Sequence, residues 1–310
     1  MATESMVVAV AGGTGFVGGA IARELSGRGH RVVVLSHRSG ARTGGGADDA
    51  TDFEYRRADV TRPDGLVAAL QGVDALSISL AFRNSPIEAP RRGQTFDRVD
   101  ADGTVALVGA ARAAGVHRIV YISGAGAAVD APRHWFRAKW RAEEAVRGSG
   151  ITYTIFRPSW IYGPDDKSLN RFLGMARWLP FVPQIGNGRQ RLAPVFVFDI
   201  GALVADALES TAADNATFEV GGPETLTMDE VIRVALRVQG RRRFILHAPA
   251  SLMKLATRPL TLLPSPPMTP DAIDFIVQSA PVDTGPLSER LPRKMSPLAA
   301  ALGTYLAPHR

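Results

Sequence analysis

A glycine-rich turn near the start of the 310-residue chain restricts its fold more than any other stretch of the sequence. Residues 7–19 read VVAVAGGTGFVGG, so a short apolar run enters a turn in which Gly12, Gly15 and Gly18 follow the spacing GxxGxxG. The apolar positions of residues 20–25 then recur at helical spacing. A strand, a tight turn and a helix in this order bind phosphate, because glycine lets the backbone approach the anion and the helix start offers free N–H groups. The alternative is a glycine-rich hairpin, and the runs on either side of the turn argue against it.

The residues after the second predicted strand bear on which ligand the turn holds. An acidic side chain at the end of this strand binds the ribose 2′-hydroxyl of NAD, whereas an arginine suits the 2′-phosphate of NADP. The strand Arg31–Leu35 is followed by Ser36, His37 and Arg38, with no carboxylate. We therefore predict that His37 and Arg38 contact the cofactor, and we expect NADP(H) in preference to NAD(H). The alternative is that Arg38 is a solvated loop residue.

Strands and helices alternate over the first half of the chain with short connections, which is typical of a doubly wound parallel (Rossmann) sheet. Asp100 or Asp102 is expected to cap the helix predicted at Ala101–Ala114. The predicted fold class is α/β, with a dinucleotide-binding core over residues 1–156. The further strands are predicted at Phe53–Ala58, Val73–Leu80, Arg118–Ile122 and Ile151–Phe156, and the helices at Pro63–Leu70, Ala101–Ala114 and Trp135–Arg147.

Parallel sheets of this kind bind ligands at the carboxyl ends of their strands. Asp59 and Val60 follow the third strand, and Leu80, Ala81 and Phe82 follow the fourth. We predict that these five residues contact the cofactor. Asp59 either accepts a hydrogen bond from the adenine amino group or caps the helix that follows it.

The texture of the sequence changes after residue 156, where proline becomes more frequent and the alternation lapses. We predict that residues 157–310 form a smaller α/β substrate lobe interleaved with the core, and that a small-molecule substrate lies in the cleft between this lobe and the strand ends. Residues 251–268 are apolar with two cations and four prolines. They either make a peripheral contact with a membrane surface or a lipid-like substrate, or form lobe core and a proline-rich loop. The stretch is too short and broken to span a membrane.

Composition narrows the classes of function further. The formal net charge is +6, but the basic residues are scattered and aromatic residues do not interleave with them, so no nucleic-acid partner is expected. The chain has no cysteine, which excludes disulfides and thiolate sites and fits a reducing, cytoplasmic location. The six histidines show no metal-ligand spacing, so no metal site is predicted. The sequence does not indicate an oligomeric state.

Taken together, several stretches resemble the extended or atypical short-chain dehydrogenase/reductases over nearly the whole chain. The sequence is similar in particular to the NAD-dependent epimerase/dehydratase-like branch that contains the NAD(P)-binding accessory subunit of respiratory complex I and its bacterial relatives. The resemblance implies cofactor-binding roles for the turn residues Gly12, Thr14, Gly15, Phe16, Val17 and Gly18, and for Pro158, Ser159 and Ile161 beside the nicotinamide. The matching stretches are GGTGFVG at 12–18, ADVT at 58–61, GVHRIVYIS at 115–123, KWRAEEAVRGSGITYTIFRPSWIYGP at 139–164, PVFVFDIGALV at 194–204 and FEVGGPETLTMDEVI at 218–232.

The resemblance fails at the residues that carry the family's reaction. In the family, the tyrosine of a Tyr-x-x-x-Lys helix moves a proton to or from the substrate oxygen, the lysine holds the nicotinamide ribose, and an upstream serine orients the substrate. Lys139 matches the lysine, but Trp135 stands at the tyrosine position, and an indole N–H does not titrate as an acid or base. In the loop SGAGA, Ser123 lies at the strand end, and Ala125 stands where the serine is expected.

This departure leaves three functions open. The first is an NADP-dependent reductase of a small apolar carbonyl or quinone-like substrate. Its leading catalytic candidate is Lys139, with a pKa lowered near a cationic nicotinamide, and Ser123, Tyr162 and His134 are weaker candidates. Lys139 and Ser123 are also predicted to contact the cofactor. The second function is a non-catalytic dinucleotide-binding sensor or assembly protein, and the third is a non-redox enzyme on the same fold.

Overall fold

The computed structural model describes residues 5–37 and 53–306. The strands are β1 (Val7–Ala11), β2 (Arg31–Ser36), β3 (Glu54–Arg57), β4 (Ala75–Ile78), β5 (Arg118–Ile122), β6 (Thr152–Pro158), β7 (Trp160–Tyr162), β8 (Phe181–Ile185), β9 (Arg191–Leu192), β10 (Pro194–Phe196), β11 (Ala216–Val220), β12 (Leu226–Thr227) and β13 (Phe244–Ala248). The helices are α1 (Phe16–Gly27), α2 (Leu66–Ala69), α3 (Gly103–Ala114), α4 (His134–Arg147), α5 (Leu169–Met175), α6 (Val197–Glu209), α7 (Met228–Val238), α8 (Ala250–Thr257), α9 (Pro270–Val277), α10 (Gly285–Arg290) and α11 (Leu298–Gly303). A π-helical turn, Phe96–Asp102, leads directly into α3, and 3-10 turns span Pro90–Arg92 and Arg258–Leu262.

The central sheet has seven parallel strands in the order β11-β6-β5-β4-β1-β2-β3. Short apolar runs such as β1 and β4 suit this position, because both faces of a parallel sheet are covered by helices. The strand order reverses between β1 and β4, and ligands of open α/β sheets bind outside the strand ends at such a point. The predicted doubly wound parallel sheet is confirmed.

Side chains alternate between the two faces of the sheet and form two apolar layers. Val8 and Val10 pack in the layer that contains the apolar residues of α1 and α6. Ala9 and Ala11 point the other way, into the layer formed with α2, α3 and α4. This alternation, with period two, is what a strand buried on both faces requires.

Two elements from the second half of the chain complete these layers. β11 pairs with β6 and forms the outer strand of the sheet. α6 packs along α1 so closely that a Cβ on Gly201 would lie 3.1 Å from the carbonyl oxygen of Ala20. The sheet is therefore complete only when residues 216–220 are in place.

Much of the remaining second half forms a smaller lobe around its own apolar core. The core joins β7 and β10 to the inner faces of α5, α7 and α11, with Tyr162, Leu173, Phe196, Ile232 and Leu302 among its buried side chains. Three two-stranded sheets, β7 with β10, β9 with β12 and β8 with β13, connect these helices. Within residues 5–37 and 53–306, no helix combines the length and the apolar character needed to cross a bilayer.

An ion-pair network joins α1, α6 and the segment that follows α10. Arg28 donates to Asp206 at 2.8 Å and to Glu209 at 2.9 Å, while Arg293 donates twice to Asp206, at 2.6 and 2.8 Å. Burial alone would raise the pKa of Asp206, but the hydrogen bonds from Arg293 and Arg28 hold it below its usual range. The network therefore ties three distant parts of the chain to one carboxylate.

Two predicted helix boundaries are wrong, and both affect candidate site residues. The helix expected at Pro63–Leu70 is reduced to α2, and its N-terminal flanking residue is Gly65. Asp59 therefore does not cap it, and its carboxylate accepts instead from the backbone N–H and the hydroxyl of Thr61, at 3.0 and 2.7 Å. These hydrogen bonds lower the pKa of Asp59, against the opposing effect of burial.

The helix expected at Ala101–Ala114 starts two residues later, because residues 96–102 form the π-helical turn. Neither candidate cap acts as one. The carboxylate of Asp100 pairs with Lys139, and that of Asp102 pairs with Arg141. This difference brings a buried charge to the candidate site.

Candidate active site at the carboxyl edge of the sheet

The glycine turn lies between β1 and α1, as the sequence predicts. Gly12 adopts φ +85°, and a Cβ at this position would collide with the backbone carbonyl of Ser79 at the end of β4. A Cβ on Gly18 would collide with the carbonyl group of Gly12. The turn can be this tight only because both residues lack side chains.

The N-terminus of α1 is open to an anion. The residue at its start, Gly15, offers no side-chain cap, and the first turn of the helix has no acidic residue. Thr14 and Gly15 are exposed, while Phe16 and Val17 are half-buried. Backbone N–H groups without a side-chain acceptor at a twelve-residue helix are what a pyrophosphate needs. The geometry therefore fits a dinucleotide.

The residues predicted at the ends of β2, β3 and β4 fall into three settings. His37 is exposed beside β2, and Arg38 lies outside the described residues. Val60 and Leu80 converge on the start of α3, where a Cβ on Gly103 would lie 2.8 Å from Val60 and 3.3 Å from Leu80. Ala81 is exposed, and Phe82 is buried in an aromatic cluster.

Lys139 is fixed by a buried ion pair. Its Nζ lies 2.7 Å from Oδ1 of Asp100, and the two side chains are 16% and 3% exposed. Nζ also lies 5.5 Å from the ring centre of Tyr121 on β5. Burial lowers the pKa of Lys139, but the combined interactions with Asp100 and Tyr121 more than offset burial, so the net pKa is raised, opposite in direction to the lowering expected beside a nicotinamide. Burial raises the pKa of Tyr121 to about 12.

Trp135, at the family's tyrosine position, belongs to an aromatic cluster that we define as Phe82, Phe96, Trp135, Phe136 and Phe275. Phe96 lies 5.0 Å from Phe82 and 6.3 Å from Trp135, and Phe275 of α9 lies 5.6 Å from Trp135, all between ring centres. Trp135 is 3% exposed, and its indole N–H has no hydrogen-bond partner. The cluster joins the end of β4, the π-helical turn, α4 and α9.

Polar contacts hold the segments around the aromatic cluster together. Glu88 accepts from the backbone N–H of Phe96 at 2.8 Å, and its other oxygen lies 2.8 Å from Nε2 of His134. Arg133 pairs with Asp274 of α9 at 2.9 Å, and Lys254 of α8 pairs with the same carboxylate. The loop before α3 and the helix α9 are thus both tied to the start of α4.

Ser123 lies at the end of β5, but its hydroxyl is already engaged. It donates to Glu143 of α4 at 2.6 Å, and both residues are buried. Arg157 donates to the same carboxylate twice, at 2.8 and 2.6 Å, and Arg147 donates once, at 2.7 Å. Ser123 therefore belongs to a buried charge network that joins β5, β6 and α4.

Four further candidates lie at the end of β6 and just after it. Tyr162 is fully buried in the lobe core between Trp160 and Phe196, and burial raises the pKa of its hydroxyl. Ser159 donates to the carbonyl of Ala280 at 2.6 Å and accepts from Ala193 N–H at 3.0 Å, so it links β6 to the lobe. The remaining two, Pro158 and Ile161, are buried and half-buried.

Two further features of the described residues were candidates for a site: a surface hollow on the lobe and clusters of metal-ligating side chains. A surface hollow of about 730 Å³ lies on the lobe, lined by residues that include His247, Asp229 and Arg233, and it contains none of the predicted site residues. Within residues 5–37 and 53–306, no three His, Asp or Glu side chains are arranged to hold a metal ion.

Sequence reasoning found Lys139 by its spacing but missed Asp100 as its partner. The only available signal was an aspartate just before a strongly helical run, and that signal is the same for a helix cap. Glu143 was missed too, although it stands one helical turn after Lys139.

Residues 12–174, slightly more than half of the chain, match a family model described as NAD(P)H-binding. The chain belongs to the NAD(P)H-binding family. The predicted resemblance to NAD-dependent epimerase/dehydratase-like short-chain dehydrogenase/reductases is confirmed by its relatives. It is 28% identical over 236 residues to the mitochondrial NADH dehydrogenase [ubiquinone] 1 alpha subcomplex subunit 9 of Arabidopsis thaliana, covering 74% of this chain and 57% of that protein.

Two other similar proteins match more of the chain. It is 31% identical over 292 residues to the chloroplastic divinyl chlorophyllide a 8-vinyl-reductase of Oryza sativa subsp. indica, covering 89% of this chain and 69% of that protein. Among solved structures, the fold is similar to that of an NADPH-dependent quinone oxidoreductase from Escherichia coli complexed with NADPH. The TM-score is 0.70 at 21% identity, and the match covers 96% of this chain and 99% of the other.

Proposed function

We propose that the protein is an NADP(H)-dependent reductase of a small, apolar carbonyl or quinone-like substrate that works without the family's tyrosine. The observation that carries this proposal is the buried Lys139–Asp100 ion pair beside the aromatic cluster, at the same edge of the sheet as the glycine turn. Reductases among the relatives support it.

The residues proposed to hold the cofactor are those of the turn and its surroundings. The N–H groups at the start of α1 would bind the pyrophosphate, and Val60 and Leu80 would contact the adenine side. We infer that Arg38 pairs with the 2′-phosphate, so NADPH is preferred to NADH. The similar fold that binds NADPH is consistent with this preference. When bound, the nicotinamide supplies the hydride.

Lys139 would act through its charge and its free protons. An ammonium group has three donors, and Asp100 takes one of them. The other two would hold the nicotinamide ribose and the substrate oxygen. As the carbonyl oxygen gains negative charge, the fixed ammonium stabilises it and Nζ hands it a proton. Asp100 keeps Lys139 protonated at neutral pH, because it raises the lysine pKa.

The substrate would lie in the cleft between the strand ends and the lobe. Its apolar character is inferred from the aromatic cluster, in which Phe82, Phe96 and Trp135 are buried and the half-buried rings of Phe136 and Phe275 would contact the substrate. Flat apolar molecules pack favourably against such rings.

The Trp135 cluster also favours a second function, a dinucleotide-binding sensor or assembly protein that does not turn over its cofactor. Trp135 is buried against Phe96 and Phe275, and Ser123 is committed to Glu143. The relative named as a subunit of NADH dehydrogenase supports this alternative. A non-redox enzyme is consistent with the epimerases among the similar folds.

The test separates cofactor binding from hydride transfer. Oxidation of NADPH is followed with quinones, enones and aldehydes for the wild type, Lys139→Met and Lys139→Arg, and NADPH affinity is measured by calorimetry. We expect turnover that Lys139→Met abolishes while NADPH still binds, with partial retention in Lys139→Arg. Full turnover in Lys139→Met would refute the role of Lys139, and NADPH binding without any turnover in the wild type would favour the sensor.

A second measurement addresses the choice of cofactor. Arg38→Ala should reduce the preference for NADPH over NADH about 10- to 150-fold, because a hydrogen bond to a charged group contributes about 1.5–3 kcal/mol. Binding of both dinucleotides by the wild type and Arg38→Ala gives the ratio. An unchanged ratio would exclude a 2′-phosphate contact.

We place this activity in the cytoplasm, on the ground that the chain has no cysteine and so needs no oxidising compartment. Fractionation of the native cells tests the location.

A further inference from the structure

Two neighbouring segments of the lobe expose large aromatic side chains to solvent. Trp178, after α5, is 81% exposed, and Phe244, at the start of β13, is 83% exposed. The backbone N–H of Phe244 donates to the carbonyl of Pro180 at 3.4 Å, which places the two segments side by side. Single exposed apolar residues are ordinary, but neighbouring ones that form a contiguous patch mark a binding surface.

The apolar side chains of β13 lie on one outer face. Phe244 and Leu246 are 83% and 55% exposed, while Ile245 between them packs against the lobe core. Alternation with period two therefore divides the strand into an inner and an outer apolar face. An outer face of this kind is unusual for a two-stranded sheet in water, where polar residues normally stand.

The exposed apolar residues continue along the chain into α8 and the 3-10 turn after it. Leu252 and Leu255, three positions apart on one face of α8, are 60% and 63% exposed. Leu262 and Leu263 are 73% and 48% exposed. This is the stretch for which the sequence left a peripheral membrane contact open.

Arginines surround Trp178 and Phe244. Arg241 and Arg243 both donate to the carbonyl of Ala176, at 3.0 and 3.1 Å, so their guanidinium groups converge beside Arg177. Burial and the charges of Arg243 and Arg177 lower the pKa of Arg241. In the described part of the chain, none of these three arginines, nor Arg242, forms an ion pair with a carboxylate. The arginine cluster therefore carries positive charge that no ion pair with a described carboxylate neutralises.

We propose that this basic aromatic surface, defined as Trp178, Phe244 and Leu246 with Arg177 and Arg241–Arg243, docks on a bilayer of anionic phospholipid. A bilayer surface is anionic at its headgroups and apolar just beneath, which matches arginines that flank protruding aromatic side chains. Tryptophan prefers the boundary between these two layers. The leucines of residues 252–263 extend the apolar contact. The surface shares no residue with the proposed cofactor site, so this inference does not rest on the proposed reductase activity.

The first experiment measures co-sedimentation of the full chain with vesicles of phosphatidylcholine alone, and with vesicles of equal parts phosphatidylcholine and phosphatidylglycerol. Within the described residues the guanidinium groups of Arg177 and Arg242 make no hydrogen bond, and Arg177 contacts the exposed ring of Trp178 at 5.6 Å, so Arg177→Gln/Arg242→Gln should leave the fold intact. We expect it to weaken partitioning to the anionic vesicles about fivefold per arginine, because each contributes about 1 kcal/mol at such a surface. The matched control, Arg91→Gln/Arg112→Gln, removes two exposed arginines elsewhere on the described surface and should bind like the wild type.

The second experiment measures how deeply Trp178 enters the bilayer. Anionic vesicles should shift the tryptophan emission of the wild type to the blue, and Trp178→Phe should lose the shift while it still sediments with the vesicles. Raising the salt from about 0.1 to 1 M shortens the Debye length from about 10 to 3 Å and should release the protein.

Other outcomes would overturn the proposal. Equal binding to neutral and anionic vesicles, or no binding at about 0.1 M salt, would exclude an electrostatic bilayer contact. If the wild type is a dimer that Trp178→Ala/Phe244→Ala converts to a monomer in light scattering, without vesicle binding, the occupant is a second copy of the chain.

Discussion

At the scale of single residues, the candidate site depends on partners that spacing alone does not reveal. Lys139 is recognisable in the sequence because a lysine at that place on a helix is part of the family pattern. Its environment is not recognisable, since Asp100 reaches it only through the π-helical turn. The expectation of a lowered lysine pKa fails for this reason. The carboxylate of Asp100, 2.7 Å away, and the neighbouring Tyr121 together offset the lowering of the lysine pKa by burial.

Breaking the buried ion pair should destabilise the fold measurably. Lys139→Met alone leaves the carboxylate of Asp100 buried without a cation, which costs about 3–5 kcal/mol. The double variant Lys139→Met/Asp100→Asn removes both charges, and we expect it to recover much of this loss. Urea unfolding of the two single variants and the double variant at neutral pH measures the coupling. Additive losses would show that the two side chains do not interact.

The glycine turn predicts a sharp contrast between two glycines of α1. Gly18→Ala places a methyl group against the backbone of Gly12, so the turn must shift, and NADPH affinity should fall at least tenfold. The loss of folding free energy should be about 1–3 kcal/mol, as for other overpacked sites.

Gly27→Ala is the control for that substitution, since a Cβ at Gly27 meets nothing within 4 Å. Alanine favours a helix over glycine by up to about 1 kcal/mol, so this variant should be as stable as the wild type or more so. Calorimetric NADPH titration and thermal unfolding of both variants provide the comparison. Equal affinities would mean that the turn does not bind the cofactor.

At the scale of secondary structure elements, the sequence predicts the strands better than the helices. Runs such as Val32–Leu35 are apolar without interruption, and this pattern has few alternatives in a long α/β chain. The residues at which α2 and α3 begin are harder to predict, because an aspartate before a helix can cap the helix, form a turn or form an ion pair. Asp59 forms a turn with Thr61, and Asp100 forms an ion pair. The preference of a residue type for a helix cap cannot choose among these roles.

The start of α5 predicts a pH-dependent stability. Asp166 is buried, accepts from the backbone N–H groups of Ser168 and Leu169 at 2.8 Å each, and has a pKa raised to about 6 by burial. The unfolded value is about 3.9. Because the folded pKa is the higher one, the contribution of Asp166 to stability is full below about pH 4 and is lost as the pH rises through about 6.

The variant Asp166→Asn should isolate this effect, since an amide does not titrate. Between pH 4 and 7 the free energy of unfolding of the wild type should fall relative to that of the variant by up to about 3 kcal/mol. Urea unfolding across this range gives the difference. Parallel pH profiles for the two proteins would show that Asp166 is not desolvated.

At the scale of the whole molecule, contacts between distant segments determine which elements belong to the sheet layers and which belong to the lobe. The sequence is richer in proline and less regular in its alternation of strands and helices after residue 156, but β11 and α6 lie in the layers of the first half. Their place could not be predicted, since Ala216–Val220 and Val197–Glu209 show the ordinary apolar patterns of a strand and a helix. Which sheet a late strand joins depends on packing, and local sequence does not carry that information.

The network around Asp206 should hold these distant segments together. Asp206→Asn removes the anion shared by Arg28 and Arg293, and we expect a loss of about 3 kcal/mol at neutral pH, since hydrogen bonds to charged groups contribute about 1.5–3 kcal/mol each. The folded pKa of Asp206 is lowered, so its contribution is present above the unfolded value of about 3.9 and is lost as the pH falls through the folded value.

Urea unfolding at several pH values compares the wild type with Asp206→Asn and with Glu209→Gln as control. Arg28 keeps Glu24 and Asp206 when Glu209 is changed, so the control should lose less stability. A larger loss in Glu209→Gln would move the centre of the network away from Asp206.

The outer position of β11 has a consequence for how the protein is made. Val220 lies 62 residues after Pro158, the last residue of β6, and until this stretch has been synthesised β6 presents an unpaired edge and the apolar stripe of α1 lacks its cover, α6. Unpaired edges recruit strands from other chains. A nascent chain in this state is therefore exposed to aggregation, and a fragment cut at the end of the family match, residue 174, would retain the same exposed edge.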